Sequence, residues 1–186
     1  MKKCIVLILC VVLLCGCKGG NSEINSAMEL RQKMLSAGGC EFDCTITADD
    51  SVNLYTFTLQ CSYEKDKKLK FTVKEPESIQ GITGYFDSEG GKLTFDDQML
   101  AFPMLADGQI SPVSTPWLFI KCLCYGYIRG VGEDNGQNRI MIQETYEDNT
   151  LQADIWTDQN NIPVSCEFLW QGRRILSMEI INFTLL

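Results

Sequence analysis

Apolar and polar residues alternate through most of this chain, and this period of two restricts its fold more than any other feature. The alternation is clearest at residues 42–46, 55–63 and 69–73. Such a pattern places the apolar side chains on one face of a strand and the polar ones on the other. The turn-forming clusters at 48–51 and 64–68 are short, so we expect neighbouring strands to run antiparallel.

Further strand patterns extend towards the C-terminus. They are predicted at 79–86, 92–95, 99–102, 139–146, 151–157, 162–170 and 174–185. The last four are separated by turns of only a few residues, which favours a four-strand antiparallel meander. The expected sheet is therefore long, with one face in water.

Two segments have helical patterns instead. Residues 26–35 have the apolar spacing of an amphipathic helix, which is predicted to end before Gly38. A second helix is predicted over 114–128, where Pro116 suits the first helical position. This segment is apolar on nearly all sides, so it must be covered by protein, and we place it in the concavity of the sheet. The predicted fold class is α+β, a curved antiparallel sheet (half-barrel) wrapped around one or two helices.

The N-terminus has the form of an export signal. Lys2 and Lys3 precede an apolar run at 4–14 that is too short to span a bilayer. The run closes on Leu14-Cys15-Gly16-Cys17, which resembles the lipobox of bacterial lipoproteins. That likeness implies cleavage between Gly16 and Cys17 and attachment of lipid, such as palmitate, to Cys17. An ordinary secretory signal and an uncleaved anchor helix are the alternatives.

The expected organisation is a lipoprotein signal peptide at 1–16, a lipidated cysteine with its linker at 17–25, and a single domain at 26–186. The lipid would hold the domain on the outer face of the cell membrane. In an organism with two membranes, Lys18 after the lipidated cysteine is compatible with outer-membrane placement.

Charge and composition narrow the function. Removing residues 1–16 removes two lysines and no acid, which leaves 14 basic and 24 acidic side chains and a net charge of −10. Nucleic acid is excluded as an expected partner because there is no basic stripe to neutralise phosphates. The sequence contains no histidine, the commonest general base and catalytic metal ligand. We therefore expect no enzyme activity, no catalytic residue, no metal and no cofactor.

Six cysteines follow the lipidation position, and their state is left open by the spacing. They are Cys40, Cys44, Cys61, Cys122, Cys124 and Cys166. An even number in an exported chain suggests disulfides. However, the two close pairs cannot bridge locally, because strand positions four apart are about 13 Å apart and helix positions two apart point to different sides. Buried free thiols, long-range disulfides and a metal site are the three interpretations.

Two stretches carry a resemblance to a known superfamily. The first stretch is 69–82 together with the following Gly91-Lys-Leu-Thr-Phe95, in which a strand pattern, a proline, a glycine and a second strand pattern follow one another. The second stretch is the C-terminal run from Leu151 to Phe183. Both resemble the LolA/LolB half-barrel proteins. The C-terminal end is similar to LolA-like lipoproteins of single-membrane bacteria, including the GerS-type germination lipoproteins of clostridia. Cys17 is a departure from LolA itself, a soluble shuttle without a lipid anchor.

The resemblance implies two functions. GerS-type proteins bind a protein partner, a cell-wall amidase that acts on spore cortex, whereas LolA and LolB hold lipoprotein acyl chains in the concavity. The leading interpretation is a membrane-anchored, non-enzymatic protein that binds an envelope or spore-cortex partner. The alternative is a carrier of lipid or acyl chains.

Aromatic and methionine side chains are the candidates for a hydrophobic pocket, since acyl chains need only a dry apolar surface. They are Phe57, Phe71, Phe95, Met99, Phe102, Met104, Trp117, Phe119, Tyr125, Trp156 and Trp170. The simpler interpretation is that they form an ordinary core. The acidic pairs at 49–50, 96–97 and 133–134 suit turns better than paired catalytic carboxylates. Calcium binding at 133–136 is disfavoured because the EF-hand spacing is missing.

Overall fold

The alternating segments form one antiparallel sheet in the computed structural model, which describes residues 20–65, 68–87, 90–94, 105–106, 108, 110–146 and 149–186. Within those residues the chain forms two α-helices and ten strands. In chain order they are α1 (Gly20–Ser36), β1 (Gly39–Asp49), β2 (Leu54–Glu64), β3 (Lys68–Glu75), β4 (Thr83–Asp87), β5 (Gly90–Thr94), α2 (Thr115–Tyr125), β6 (Tyr127–Asp134), β7 (Gln137–Tyr146), β8 (Asn149–Thr157), β9 (Pro163–Trp170) and β10 (Arg173–Leu185).

The strand order across the sheet is β5-β4-β3-β2-β1-β10-β9-β8-β7-β6. Consecutive strands are neighbours on each side, and the first and last strands pair with each other, with Cys44 opposite Ile180 and Ile46 opposite Met178. The two ends of the domain therefore meet at the centre of the sheet. This curved antiparallel sheet around two helices confirms the predicted α+β fold class, including the C-terminal strands as an antiparallel series.

One face of the sheet, here called the inner face, is covered by the helices. Strand alternation points Phe42, Cys44 and Ile46 of β1 into the core, and Leu59 of β2 and Phe168 of β9 join them there. The other face, here called the outer face, carries the intervening polar residues. Burial of the apolar half of each strand is the main favourable contribution to folding, at about 25 cal/mol per Å².

Helix α2 is buried as its composition predicts. Eight of its eleven residues are buried, and Phe119 is fully enclosed. Helix α1 buries Ala27, Leu30 and Met34 at helical spacing. It begins at Gly20, so residues 20–25, which were predicted as linker, form its first part. No helix in the described residues is long and apolar enough to cross a bilayer.

Three sequence predictions differ in detail. The strand predicted at 79–86 starts only at Thr83, because a 3₁₀ turn follows Pro76 and Gly81 adopts a left-handed backbone with φ of 87°. The strand predicted at 99–102 lies outside the described residues. The helix predicted to reach residue 128 ends at Tyr125, and residues 127–134, partly predicted as a turn, form strand β6.

Helix α2 ends at a position, Gly126, that only glycine can occupy. The backbone of Gly126 is extended, with φ of −65° and ψ of 155°. A Cβ at this position would lie 2.4 Å from Ile142 Cγ2 and 2.8 Å from the Cys122 carbonyl oxygen. A larger residue does not fit, so the chain can turn tightly from α2 into β6 only with glycine here.

Candidate functional site

The inner face holds four of the predicted pocket residues. Phe57, Phe71, Phe119 and Trp170 are all buried within one hydrophobic core. Phe71 stacks on Phe86 with ring centroids 5.7 Å apart. These side chains lie together in the core, where they pack against other protein side chains.

The remaining pocket candidates are placed differently. Trp117 is half-buried and meets Tyr63 edge-to-face at 6.3 Å. Tyr125 is exposed at the end of α2, and Trp156 lies on the outer face, because its neighbour Ile155 occupies the inner face. Four candidates fall outside the described residues: Phe95, Met99, Phe102 and Met104.

Helix α2 fills the space that a ligand would need on the inner face. Phe119 contacts the ring of Phe42 edge-to-face at 5.9 Å and the ring of Phe183 at 6.4 Å. Leu118, Ile120 and Leu123 are buried alongside it. In the described part of the chain, α2 therefore occupies the inner face of the sheet.

Arg31 of α1 fixes the C-terminal end of α2. Its Nε donates to the Leu123 carbonyl at 2.8 Å, and its Nη2 donates to the Gly126 carbonyl at 2.7 Å. The last carbonyls of a helix lack intrahelical partners and carry partial negative charge, so a guanidinium is a favourable partner for them. Burial lowers the pKa of the Arg31 guanidinium from its ordinary value. This contact ties both helices into one unit.

All six described cysteines are free and buried. The sulfur atoms of Cys44 and Cys61 lie 3.9 Å apart. Burial raises the pKa of Cys40 and of Cys122 to about 12. Neutral thiols are weak nucleophiles and poor metal ligands, so these side chains act as small apolar core residues.

The outer face carries a polar network around a buried carboxylate. Asp154 of β8 is only 1% exposed although it points away from the core. Arg139 of β7 forms an ion pair with its Oδ2, and Gln152 Nε2 donates to its Oδ1 at 3.2 Å. Hydrogen bonding to Asp154 raises the pKa of Arg139. The pair holds the guanidinium in a fixed position on the surface.

Trp156 lies beside this pair on the same face. Its indole N–H donates to Asp134 Oδ2 at 3.0 Å. The Arg139 guanidinium carbon lies 5.4 Å from the centroid of the Trp156 ring, which is within range of a cation–π contact. The ring is thus held from two sides while part of it stays exposed.

An open groove of about 350 Å³ adjoins Trp156. Ser165 and Glu167 of β9 and Arg174 of β10 line it, and Arg174 forms an ion pair with Glu167. We refer to Asp134, Arg139, Asp154, Trp156, Glu167 and Arg174 as the outer-face network. It combines an aromatic ring, two guanidinium groups and three carboxylates in fixed positions.

A second, larger groove of about 490 Å³ lies on the outer face of β1, β2, β3 and β10. Its polar side chains include Glu41, Asp43 and Lys70. The side chains of Phe42 and Phe71, which also line it, point into the core. This groove offers hydrogen-bonding groups without an exposed aromatic ring.

The outer-face network was not found from the sequence. The spacing of Gln152, Asp154 and Trp156 was the available signal, because residues two apart share a face and two of these are strongly polar. That parity places Trp156 with the polar set. Arg139 of β7 and Arg174 of β10 could not be assigned to the network from the sequence, because their positions depend on strand register.

The acidic pair at 49–50 stabilises the turn after β1, whereas the pair at 133–134 ends strand β6. Asp50 Oδ1 accepts the backbone N–H groups of Val52 and Asn53 at 2.8 and 2.6 Å, and these bonds lower the pKa of Asp50. Asp134 accepts the Trp156 indole. The pair at 96–97 lies outside the described residues. Among the residues that are described, no group of three or more acidic or cysteine side chains is placed to hold a metal ion.

The described residues form a half-barrel, a curved antiparallel sheet whose inner face is filled by two helices. No family model matches the chain, and no curated protein matches it in sequence.

Several solved structures are similar to it. A LolA superfamily protein from Nitrosomonas europaea is 11% identical with a TM-score of 0.44, over 86% of this chain and 93% of that one. The lipoprotein LppX of Mycobacterium tuberculosis is 11% identical with a TM-score of 0.39, over 87% and 93%. The MucA/MucB complex of Pseudomonas aeruginosa is 13% identical with a TM-score of 0.40, over 88% of this chain and 57% of that one. None of these likenesses is close enough to carry a function to this chain.

Proposed function

We propose that this chain is a lipid-anchored, non-enzymatic envelope protein that binds a protein partner through the outer-face network. The observation that carries the proposal is the Trp156–Arg139 pair beside an open groove. Tryptophan and arginine are the residues that most often dominate binding energy at protein interfaces. Here both are positioned before any partner arrives, which lowers the entropy cost of binding.

The state of the inner face supports a protein partner over a lipid cargo. A carrier needs an apolar cavity, whereas the inner-face aromatic residues are packed against α2. Opening such a cavity would require α2 to leave, and Arg31 holds its C-terminal end through two hydrogen bonds. The outer face needs no rearrangement to receive a partner.

The charges of the network indicate the kind of partner. Arg174 lines the groove together with Asp134 and Glu167, so charges of both signs are presented within it. A protein surface with charges of both signs complements this arrangement better than a uniformly charged polymer. The GerS-type resemblance implies a cell-wall amidase-like enzyme of the envelope or spore cortex as the partner, and the lipid on Cys17 would keep the complex extracytoplasmic.

The test is capture of the partner from intact cells after chemical crosslinking, with bound proteins quantified by mass spectrometry. Trp156→Ala removes the aromatic ring, and Ser165→Arg fills the groove without removing a core side chain. Each is expected to reduce capture about tenfold or more, the effect of losing an interface hot spot. Circular dichroism confirms that both variants fold.

Tyr85→Ala is the matched control. On the outer face of β4, Lys68 Nζ lies 5.0 Å from the centroid of the Tyr85 ring. The variant therefore loses a similar cation–π contact far from the network. Its capture should equal that of the wild type. Equal capture by Trp156→Ala, Ser165→Arg and wild type would refute the network as the binding surface.

A carrier of lipid or acyl chains is the second candidate, favoured by the aromatic residues that surround α2 on the inner face. Native mass spectrometry of the protein purified from its own membrane distinguishes the two. Stoichiometric lipid beyond the lipid on Cys17 would support the carrier.

A further inference from the structure

Four large apolar side chains are exposed on α1 and at the junction of α2 and β6. Ile24 and Met28 of α1 are 46% and 50% exposed, and Tyr125 and Tyr127, at the junction of α2 and β6, are 61% and 73% exposed. Single exposed apolar residues are ordinary, but a set that shares one side calls for an occupant.

Helical geometry places Ile24 and Met28 on the same flank of α1. At about 100° per residue, they lie about 60° and 100° around the helix from the buried Ala27, on the side that also carries Arg31. The acidic residues Glu23 and Glu29 project in other directions. The flank is therefore apolar and free of carboxylates among its described side chains.

Arg31 joins this flank to the two tyrosines. Its Nη2 bonds to the carbonyl of Gly126, the residue between Tyr125 and Tyr127. Helix α1 also packs beside β6, which starts at Tyr127. Ile24, Met28, Tyr125 and Tyr127 consequently border one region, here called the tyrosine patch.

The length of chain before α1 sets what can cover the tyrosine patch. Only three peptide steps separate Cys17 from Gly20, which span about 11 Å at full extension. Ile24 and Met28 follow about 6 and 12 Å along the helix axis. If Cys17 carries lipid, the patch is held within a short distance of the headgroups.

We infer that the tyrosine patch rests on the bilayer that receives the Cys17 lipid, with Tyr125 and Tyr127 at the headgroup level and Ile24 and Met28 against the acyl boundary. Tyrosine prefers this interface because its ring is apolar and its hydroxyl is wet. The inference rests on the lipid anchor of the proposed function. It sets the orientation of the domain and directs α1 towards the membrane.

The structure also supplies a way to test this contact. Because all six described cysteines are buried, a thiol-reactive fluorophore will label an introduced surface cysteine selectively. Met28→Cys and Tyr127→Cys place the label in the patch.

Val52→Cys is the matched control. Val52 is exposed in the β1–β2 turn, whereas Lys65 Nζ donates to the Leu35 carbonyl of α1 at the β2–β3 turn. The control label thus lies at the end of β2 that is remote from α1.

The experiment uses the full lipidated protein in vesicles of phosphatidylcholine with a minor share of phosphatidylglycerol, with and without bromine on the acyl chains. Labels in the patch should be quenched by brominated lipid about threefold more than the label at position 52, as expected for side chains buried 5–10 Å into the interface. Equal quenching at all three positions would overturn the inference.

Two other results identify what failed. Protein that does not float with the vesicles refutes the lipid anchor and, with it, the membrane contact. Protein that floats, with patch labels shielded from aqueous iodide but unquenched by brominated lipid, assigns the patch to a protein or a second copy and overturns the inference while leaving the anchor intact.

Discussion

The cysteines show how a single residue type takes its role from its surroundings. Cys40, Cys44 and Cys61 point inward from β1 and β2, and burial raises the pKa of Cys40 to about 12. In the unfolded chain a thiol titrates near 9.0. The folded state therefore keeps protons that the unfolded state loses in alkaline solution.

We predict that stability falls as pH rises above about 9. Below pH 9 the Cys40 and Cys122 thiols are protonated in both the folded and the unfolded state, so their contribution to the free energy of unfolding is constant. Between pH 9 and about 12 these thiols ionise only in the unfolded state, which lowers the free energy of unfolding. Urea unfolding across this range measures the slope. Cys40→Ala with Cys122→Ala should reduce it, and an unchanged slope in that double variant would contradict the assignment.

Asp154 is the residue of the outer-face network with the greatest effect expected on stability. Asp154→Ala leaves the Arg139 guanidinium without its carboxylate partner, so the variant should lose about 1–3 kcal/mol of unfolding free energy, towards the low end because Arg139 is partly exposed.

Glu167→Ala provides the comparison on the same face. It removes the Arg174 partner from a more exposed pair, so a change within about 1 kcal/mol is expected. Chemical denaturation measures both variants. If the Asp154→Ala variant is as stable as Glu167→Ala, the buried Asp154 carboxylate contributes no more to the free energy of unfolding than the exposed Glu167 carboxylate.

At the scale of elements, α1 and α2 depend on each other. Arg31 supplies donors to carbonyls that α2 cannot satisfy itself. At the other end, the hydroxyls of Ser114 and Thr115 donate to the Ser111 and Pro112 carbonyls and close the preceding 3₁₀ turn. The first turn of α2 is thus held by its approach segment and its last turn by α1.

Arg31→Met tests this dependence, since it keeps an unbranched apolar stem and removes the donors. We expect a loss of about 1–3 kcal/mol, because the carbonyls of Leu123 and Gly126 remain part-buried without partners. Lys33→Met is the control on the same helix, where only an exposed pair with Glu29 is lost. Its unfolding midpoint in urea should barely move.

At the scale of the whole molecule, the pairing of β1 with β10 joins the two halves of the sheet. Each half is a series of neighbouring strands, and this central ladder between residues 40–48 and 176–185 connects them. The residues that connect α1 to β1 lie beside residue 186, because the Gly38 N–H donates to the Leu186 carbonyl at 3.0 Å.

Cys17→Ala tests the location of the whole molecule. The variant cannot accept lipid, so the exported protein is expected in the aqueous phase after detergent phase separation, while the wild type partitions with detergent. Cys166→Ala, which changes a core residue and leaves Cys17 intact, is the control. An aqueous Cys166→Ala variant, or a membrane-bound Cys17→Ala variant, would contradict lipid attachment at Cys17.

The sequence by itself determined the inner face, because strand alternation has a period of two and each apolar residue of β1, β2 and β3 follows from it. It also determined that α2 is covered on most sides, from its composition alone. Both are local consequences of residue type, so no knowledge of distant contacts was needed.

Only the tertiary structure decided the end of α2, the existence of β6 and the composition of the outer-face network. The chain leaves the helix at Gly126, where Ile142 leaves no room for a larger residue, and Arg139 meets Asp154 and Trp156 through the register of β7 on β8. Register and close approach depend on how separate elements pack. A one-dimensional pattern does not contain that information, so the contacts of Trp156 with Asp134 and Arg139 could not be predicted from it.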